Sequence, residues 1–228
     1  MSTPPLSLFG DKLWMSPYVF SSFVALSEKG LAFEHVELVF TEGEHLAPAY
    51  RDAALTARIP SLQHQGFRLT ESSAIAEYLE EVFPPPLYPR LFPGELESRA
   101  RARELMAWLR SDLGALRDER PSVTMFFKVA VRPLSAVARR DVDKLLRIAE
   151  AVVPADGDAL FGRWALVDTE LAFMLHRLIL NGDEVPARLV TYARKQWQRP
   201  SVRSYVEHRR PREVPDSYWT ISGTPKPA

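Results

Sequence analysis

A chain of 228 residues can hold one large domain or two small ones around a sizeable core, and 46% apolar with 25% charged residues is too apolar for disorder. Lys plus Arg and Asp plus Glu number 29 each, so no net charge draws the chain to nucleic acid or anionic lipid. Cysteine is absent, which excludes disulfides, Cys-ligated metal and Cys nucleophiles. Neither a signal-peptide pattern nor an 18-residue apolar run is visible. The expectations are therefore a cytoplasmic location, no metal, no nucleic-acid partner and no membrane association.

Leu6-Ser7-Leu8-Phe9 reads as a short strand. Ser16-Pro17 opens a helix, because Ser is a favoured N-cap and Pro suits the first helical position; Gly30 is its stop. Alternation of Val36, Leu38 and Phe40 predicts a second strand over 33–40, and a short helix is expected near 46–55 after a polar loop carrying His45. Ser61–His64 and Phe67–Thr70, joined by Gln65-Gly66, have the spacing of a hairpin. Glu71-Ser72-Ser73 then caps a helix with Ile75, Tyr78, Leu79 and Val82 on one face. The order is β-α-β-α-β-β-α.

Pro84-Pro85-Pro86 and Pro89 predict a stiff linker over 84–94. Beyond it only helical spacing appears: 95–118, 135–153, a helix from Asp168 to Asn181-Gly182, one after Pro186 and a short one after Pro200. The expected organisation is an α/β domain over 1–83, an all-helical domain over 95–208 and an extended tail over 209–228.

An α/β domain of this order, a proline linker and a helical domain resemble the cytosolic glutathione transferases. Particular residues strengthen the likeness. Ser16-Pro17-Tyr18 is similar to the motif of serine-type members. Arg58-Ile59-Pro60 resembles the family's residue before a cis-proline, and Glu71-Ser72 its glutathione-binding acid–serine pair. Asp168 within Trp164-Ala165-Leu166-Val167-Asp168 resembles its structural aspartate. These occur in the family's order over about residues 5–208, and Ser16-Pro17-Tyr18-Val19 with the stretch from Glu71 to Leu79 is similar to a bacterial subgroup.

The resemblance implies a thioredoxin-like N-terminal domain and a glutathione S-transferase activity, with glutathione as co-substrate and a small hydrophobic electrophile as partner. Ser16 is the implied catalytic residue. A thiol has a pKa of about 8.5 and only its thiolate is reactive. A hydroxyl hydrogen bond to the anion, aided by the helix N-terminus, would shift that value down by about one to two units. Read alone, Ser16 is an N-cap first, since Ser-Pro is common at helix starts; the other motifs carry the catalytic reading, and Tyr18 is a rival hydroxyl. Phe9, where tyrosine-type members carry their phenol, has no donor.

Ile59, at the expected cis Pro60, would pair through its main chain with the cysteinyl part of glutathione. Glu71 and Ser72 would hold the γ-glutamyl end. For the glycyl carboxylate His45 and Arg58 both remain candidates. Electrophile contacts are expected from Trp14, Met15, Leu113, Leu116 and Phe126, between the domains. Arg99, Arg103 and Arg110 read as a solvated face or a subunit contact, and a homodimer is expected. In place of the family's Ser or Thr, Ala165 leaves the capping box at Asp168 incomplete. The same thiolate also fits glutathione-dependent peroxidase chemistry. A glutathione or hydrophobic-ligand carrier without turnover, or an interaction scaffold, are the competing classes.

Overall fold

The computed structural model describes residues 6–127, 129–215 and 218. They fall into two compact units: one runs up to Leu91 and takes in the described residues from Ser204 onward, and the other is Phe92–Arg203.

The first unit contains β1 (Leu6–Asp11), α1 (Pro17–Glu28), β2 (Glu34–Leu38), α2 (Pro48–Arg51), β3 (Ser61–His64), β4 (Phe67–Thr70) and α3 (Ser72–Val82). Its sheet order is β2-β1-β3-β4, with β1 parallel to β2 and antiparallel to β3, and β3 antiparallel to β4. This is the thioredoxin-like arrangement. The hairpin turn is the expected one: Gln65 and Gly66 both have positive φ, as a two-residue turn of the primed type requires.

α1 starts and stops as its sequence dictates. Ser16 Oγ accepts from the Val19 amide at 3.3 Å, and Pro17 occupies the first turn. At the other end Gly30, at φ 68°, donates to the Ser27 carbonyl while Leu31 donates to that of Leu26, which completes a Schellman ending. Lys29, fully buried, then ties α1 to α3 by an ion pair to Glu80 at 2.6 Å and a bond to the Phe83 carbonyl at 2.8 Å. At Gly10 the fit is tight: a Cβ there would stand 2.5 Å from both Val19 Cγ1 and His35 Nε2.

Two sequence expectations change in this unit. The helix expected near 46–55 is reduced to Pro48–Arg51, preceded by 3-10 turns at Phe40–Glu42 and Glu44–Leu46, because left-handed Gly43 and Pro48 interrupt a continuous helix. The proline cluster turns instead of extending. Pro85–Pro86 is cis, Tyr88 donates to the Pro84 carbonyl at 3.2 Å, and the Leu91 amide returns to Glu80 at 3.0 Å.

The second unit is helical: α4 (Leu96–Ser111), α5 (Gly114–Glu119), α6 (Ser122–Phe126), α7 (Ala136–Val152), α8 (Leu166–Ile179) and α9 (Ala187–Trp197), followed by α10 (Pro200–Val206), inside which the two units divide. The single helix expected over 95–118 is broken. Leu113 is left-handed at φ 61°, its amide donates to Asp112 Oδ1 at 2.7 Å, and Asp112 Oδ2 takes both Trp108 Nε1 and Lys144 Nζ. The Lys144 hydrogen bond leads in holding the Asp112 carboxyl down to about 2. The short α6 is an element the sequence reading missed.

Leu113 and Leu116 are fully buried in the core with Leu145, Leu171 and Tyr192, so they are core residues and not the electrophile contacts expected of them. Arg110 also departs from its solvated reading. It forms a two-pronged ion pair with Glu170, at 2.5 Å for Nη2 to Oε1, because the α8 acid lies against that face of α4. Asp168 carries half of the capping box: its Oδ2 accepts the Ala165 amide at 2.9 Å, and the reciprocal side-chain bond is absent because alanine has no acceptor.

His176 supplies a pH test of this unit. Its ring is buried, stacks on Trp197 at 3.8 Å, and donates through Nδ1 to the Ala172 carbonyl. Burial lowers its pKa to about 4. An unfolded histidine titrates near about 6.5, so between that pH and about 4 the unfolded chain takes up a proton that the folded chain refuses. Stability therefore falls as pH drops through this window, by about 2–3 kcal/mol from this group. The raised carboxyl of Asp168 works in the opposite sense, favouring the folded state as it takes up a proton. The difference between wild type and His176→Gln isolates the histidine. Urea midpoints at pH 7 and pH 4.5 should converge more closely for the variant; parallel losses in both proteins would count against this assignment.

Candidate functional site

Sheet register gathers the candidate residues at one end of the first unit. Phe9 lies opposite Ser61, and Ser61 opposite Thr70, so the C-terminal end of β1, the start of β3 and the end of β4 form one cross-strand row. Asp11 pairs with Leu38 in the same region, at the end of β2. The segments that leave this end are the loop into α1 with Ser16, the loop after β2 with His45, the residues before β3 with Ile59-Pro60, and the start of α3 with Glu71-Ser72.

Ser16 is half-buried at the N-terminus of α1. Its hydroxyl oxygen accepts from Val19, but no acceptor among the described residues takes its hydrogen. An N-cap uses a lone pair only, so capping leaves the O–H free to donate elsewhere. Tyr18, the rival hydroxyl, is exposed and makes no hydrogen bond among the described residues.

Ile59–Pro60 is cis, as expected. The bond is bracketed by Tyr50, whose hydroxyl donates to the Arg58 carbonyl at 2.7 Å and lies 3.0 Å from Ser61 Oγ. Neither the amide nor the carbonyl of Ile59 is hydrogen-bonded among the described residues. Tyr50 also packs with Leu38 and Ala54, which anchors this turn to a small apolar cluster that includes Phe9 and Ile59.

Glu71 adopts φ 70° and ψ 114°, a conformation that costs a non-glycine residue about 1–3 kcal/mol and that recurs at ligand clamps. Its side chain is exposed and caps nothing. Ser72, buried, is the first residue of α3. The amides of Ser73 and Ala74 in that first turn have no partner among the described residues. An acid, a buried serine and open amides at the start of an 11-residue helix make a place for a zwitterionic α-amino acid group.

His45 stacks flat on Phe40 at 3.9 Å, and its Nδ1 is buried without a partner. Burial lowers its pKa, so at neutral pH the imidazole offers an N–H donor and not a cation. Arg58 is exposed, and among the described residues only its carbonyl is engaged, by Tyr50.

Three residues that the sequence reading did not single out surround Ser16. Asp11 accepts the Met15 amide at 2.7 Å and the Ser16 amide at 3.2 Å. Tyr205 donates to the Ser16 carbonyl at 3.1 Å. Arg210 donates to the carbonyls of Leu13 at 3.2 Å and Trp14 at 2.6 Å. Asp11 is legible in hindsight as an acid just ahead of a helix start. The other two are about 190 positions from Ser16 in sequence, where no local pattern reaches. Among the described residues no group of three His, Asp or Glu side chains could hold a metal ion, and no helix is long and apolar enough to cross a membrane.

Comparison with known proteins agrees with this architecture. The model of the glutathione S-transferase N-terminal domain matches residues 5–81, and that of the C-terminal domain matches residues 95–209. A solved glutathione transferase homologue from Burkholderia, with bound glutathione, is 38% identical at a TM-score of 0.75, over 89% of this chain and 97% of that one. Among curated relatives, rat glutathione S-transferase theta-1 is 27% identical over 61% of this chain and 60% of its own length. Maleylacetoacetate isomerase of Pseudomonas aeruginosa is 38% identical over 41% of this chain and 44% of its own. The matched stretch thus spans about half the length of these curated relatives. Two family models in tandem, on a thioredoxin-like unit followed by a helical one, lead to one conclusion: this chain belongs to the glutathione S-transferase family.

Proposed function

We propose that the chain is a glutathione transferase in which Ser16 activates the glutathione thiol for attack on a small hydrophobic electrophile. The observation that carries this reading is the Ser16 hydroxyl, held at the start of α1 with its hydrogen uncommitted among the described residues. In that role the O–H donates to the sulfur and stabilises the thiolate over the thiol, and the helix N-terminus adds in the same direction. The thiol proton passes to solvent, the thiolate forms a bond to an electrophilic carbon, and the electron pair of the bond that breaks leaves with the displaced group or, on addition, is taken up by a proton from solvent.

The other candidates divide the rest of glutathione among themselves. The open amide and carbonyl of Ile59, beside Pro60, suit the cysteinyl backbone in strand-like pairing. Ser72 and the open amides of Ser73 and Ala74 suit the γ-glutamyl carboxylate, with Glu71 for its ammonium. His45 suits the glycyl carboxylate as a neutral donor. In support, the Burkholderia homologue was solved with glutathione bound. The reading extends to a cytoplasmic twofold homodimer, for which the check is a light-scattering mass near twice 25.9 kDa.

Retention on immobilised glutathione, followed by a panel of aryl halides, epoxides, organic hydroperoxides and maleyl compounds, tests the function. The maleyl compounds are included because a relative bears the name maleylacetoacetate isomerase. Retention with turnover on one class is the expected result. Retention without any turnover would favour a ligand carrier, and no retention would remove glutathione from the proposal.

A further inference from the structure

The loop from Lys12 to Ser16 connects β1 to the start of α1 and is held from two chemically opposite sides. Its amides are taken by an acid: Asp11 accepts from Met15 and Ser16. Its carbonyls are taken by groups from the far end of the chain: Arg210 at Leu13 and Trp14, and Tyr205 at Ser16. Arg210 also donates to the carbonyls of Tyr205 at 3.0 Å, Val206 at 2.8 Å and His208 at 3.0 Å. All five N–H donors of the guanidinium thus fall on backbone carbonyls, two in the loop and three in its own segment.

What this clamp holds is not a relaxed turn. Trp14 is left-handed at φ 52°, a conformation that persists only where surrounding contacts impose it. Its indole lies flat on His208 at 3.8 Å, meets His35 edge-on at 4.1 Å and donates through Nε1 to Glu37 at 2.8 Å. The charged and titratable groups about the loop are Asp11, Lys12, His35, Glu37, Tyr205, His208 and Arg210. Burial raises the Asp11 carboxyl, opposed by the amides of Met15, Ser16 and Asp11 itself and by the charge of Arg210.

We infer that Arg210, assisted by Tyr205, is a positioning residue for Ser16: the segment after Ser204 fixes the Lys12–Ser16 backbone and thereby aims the Ser16 hydroxyl. This rests on the reading of Ser16 as the thiol-activating group. A reacting group misplaced by a fraction of an ångström loses much of its effect, so loosening the carbonyl side should weaken activation more than glutathione binding, which is assigned to other elements. Lysine at 210 would keep the charge beside Asp11 but could not span the same carbonyls, which separates geometry from electrostatics.

The test compares wild type, Arg210→Lys, Tyr205→Phe and Ser16→Ala by the pH dependence of bound-thiolate absorbance, with kcat and KM for glutathione. Arg210→Lys is expected to move the thiolate midpoint up by about half to one pH unit and to lower kcat about three- to tenfold, with KM changed less than about twofold. Tyr205→Phe, which deletes one hydrogen bond and little else, should move the midpoint the same way by less, and it decides the matter if Arg210→Lys does not fold. If Ser16→Ala shifts the midpoint but the other two curves superimpose on wild type, the inference is wrong and the role of Ser16 stands, even where melting temperatures fall. If Ser16→Ala itself leaves the curve unmoved, the reading of Ser16 fails and this inference falls with it.

Discussion

Ser16→Ala will raise the pH at which bound glutathione ionises by about one to two units and lower kcat about tenfold at neutral pH, while glutathione affinity changes little. The reason is a division of labour. In the proposed role the hydroxyl donates to the anionic sulfur, and a hydrogen bond to a charged acceptor contributes about 1.5–3 kcal/mol, nearly all of it to the thiolate form. Binding is assigned to Ile59, Glu71 and Ser72, none of which the substitution touches. Ser72→Ala should behave in reverse, with a higher KM and an unmoved ionisation curve. The Ser16 variant also loses the cap to Val19, a stability loss of about 1 kcal/mol. If capping were its whole role, the melting temperature would fall and the absorbance curves of wild type and variant would coincide. That coincidence would redirect attention to Tyr18 or a backbone amide.

Asp168→Ala should be the most destabilising single change in the helical unit, by about 3–5 kcal/mol, a large part of the roughly 5–15 kcal/mol that holds a typical protein folded. Asp168 is wholly buried and its carboxylate takes three donors: Leu160 N at 2.8 Å, Ala165 N at 2.9 Å and Tyr192 Oη at 2.9 Å. Alanine would leave the Leu160 and Ala165 amides without a partner in a dry interior, at about 1–3 kcal/mol for each orphan, and the Tyr192 hydroxyl with only its longer bond, 3.3 Å, to the residue 168 carbonyl. Tyr192→Phe removes one donor and leaves the carboxylate with two, so its cost should be near 1 kcal/mol. Urea denaturation of both variants decides. A loss below about 1 kcal/mol for Asp168→Ala would mean that water or a neighbouring group replaces the carboxylate.

Much of the first unit follows from local rules. Ser16-Pro17 and Gly30 set both ends of α1 because cap chemistry acts within a few residues. Gln65-Gly66 sets the hairpin and hence the β3–β4 register, since a two-residue turn admits few geometries. The candidates Ser16, Ile59, Pro60, Glu71, Ser72 and His45 were singled out by the family resemblance of their motifs, and the sheet brings the segments that carry them to one end.

Other features depended on contacts that no local window contains. At the break at Leu113, the Asp112 carboxylate that takes the Leu113 amide is also bonded by Lys144, more than 30 positions away. Arg110 looks like surface charge until Glu170 arrives on α8. The proline-rich stretch after α3 reads as extended, because composition cannot show that its end returns to Glu80. Most of all, residues 209–228 read as a tail without periodicity; 216, 217 and 219–228 lie outside those described, but Arg210 lies within them. A backbone carbonyl carries no sequence label, so nothing in residues 12–16 announces that an arginine 196 positions beyond Trp14 will satisfy it. The sequence by itself determined the family and most of the elements of the first unit; only the tertiary structure decided which distant groups hold the Ser16 loop, because hydrogen bonds to main chain are specified by position in space alone.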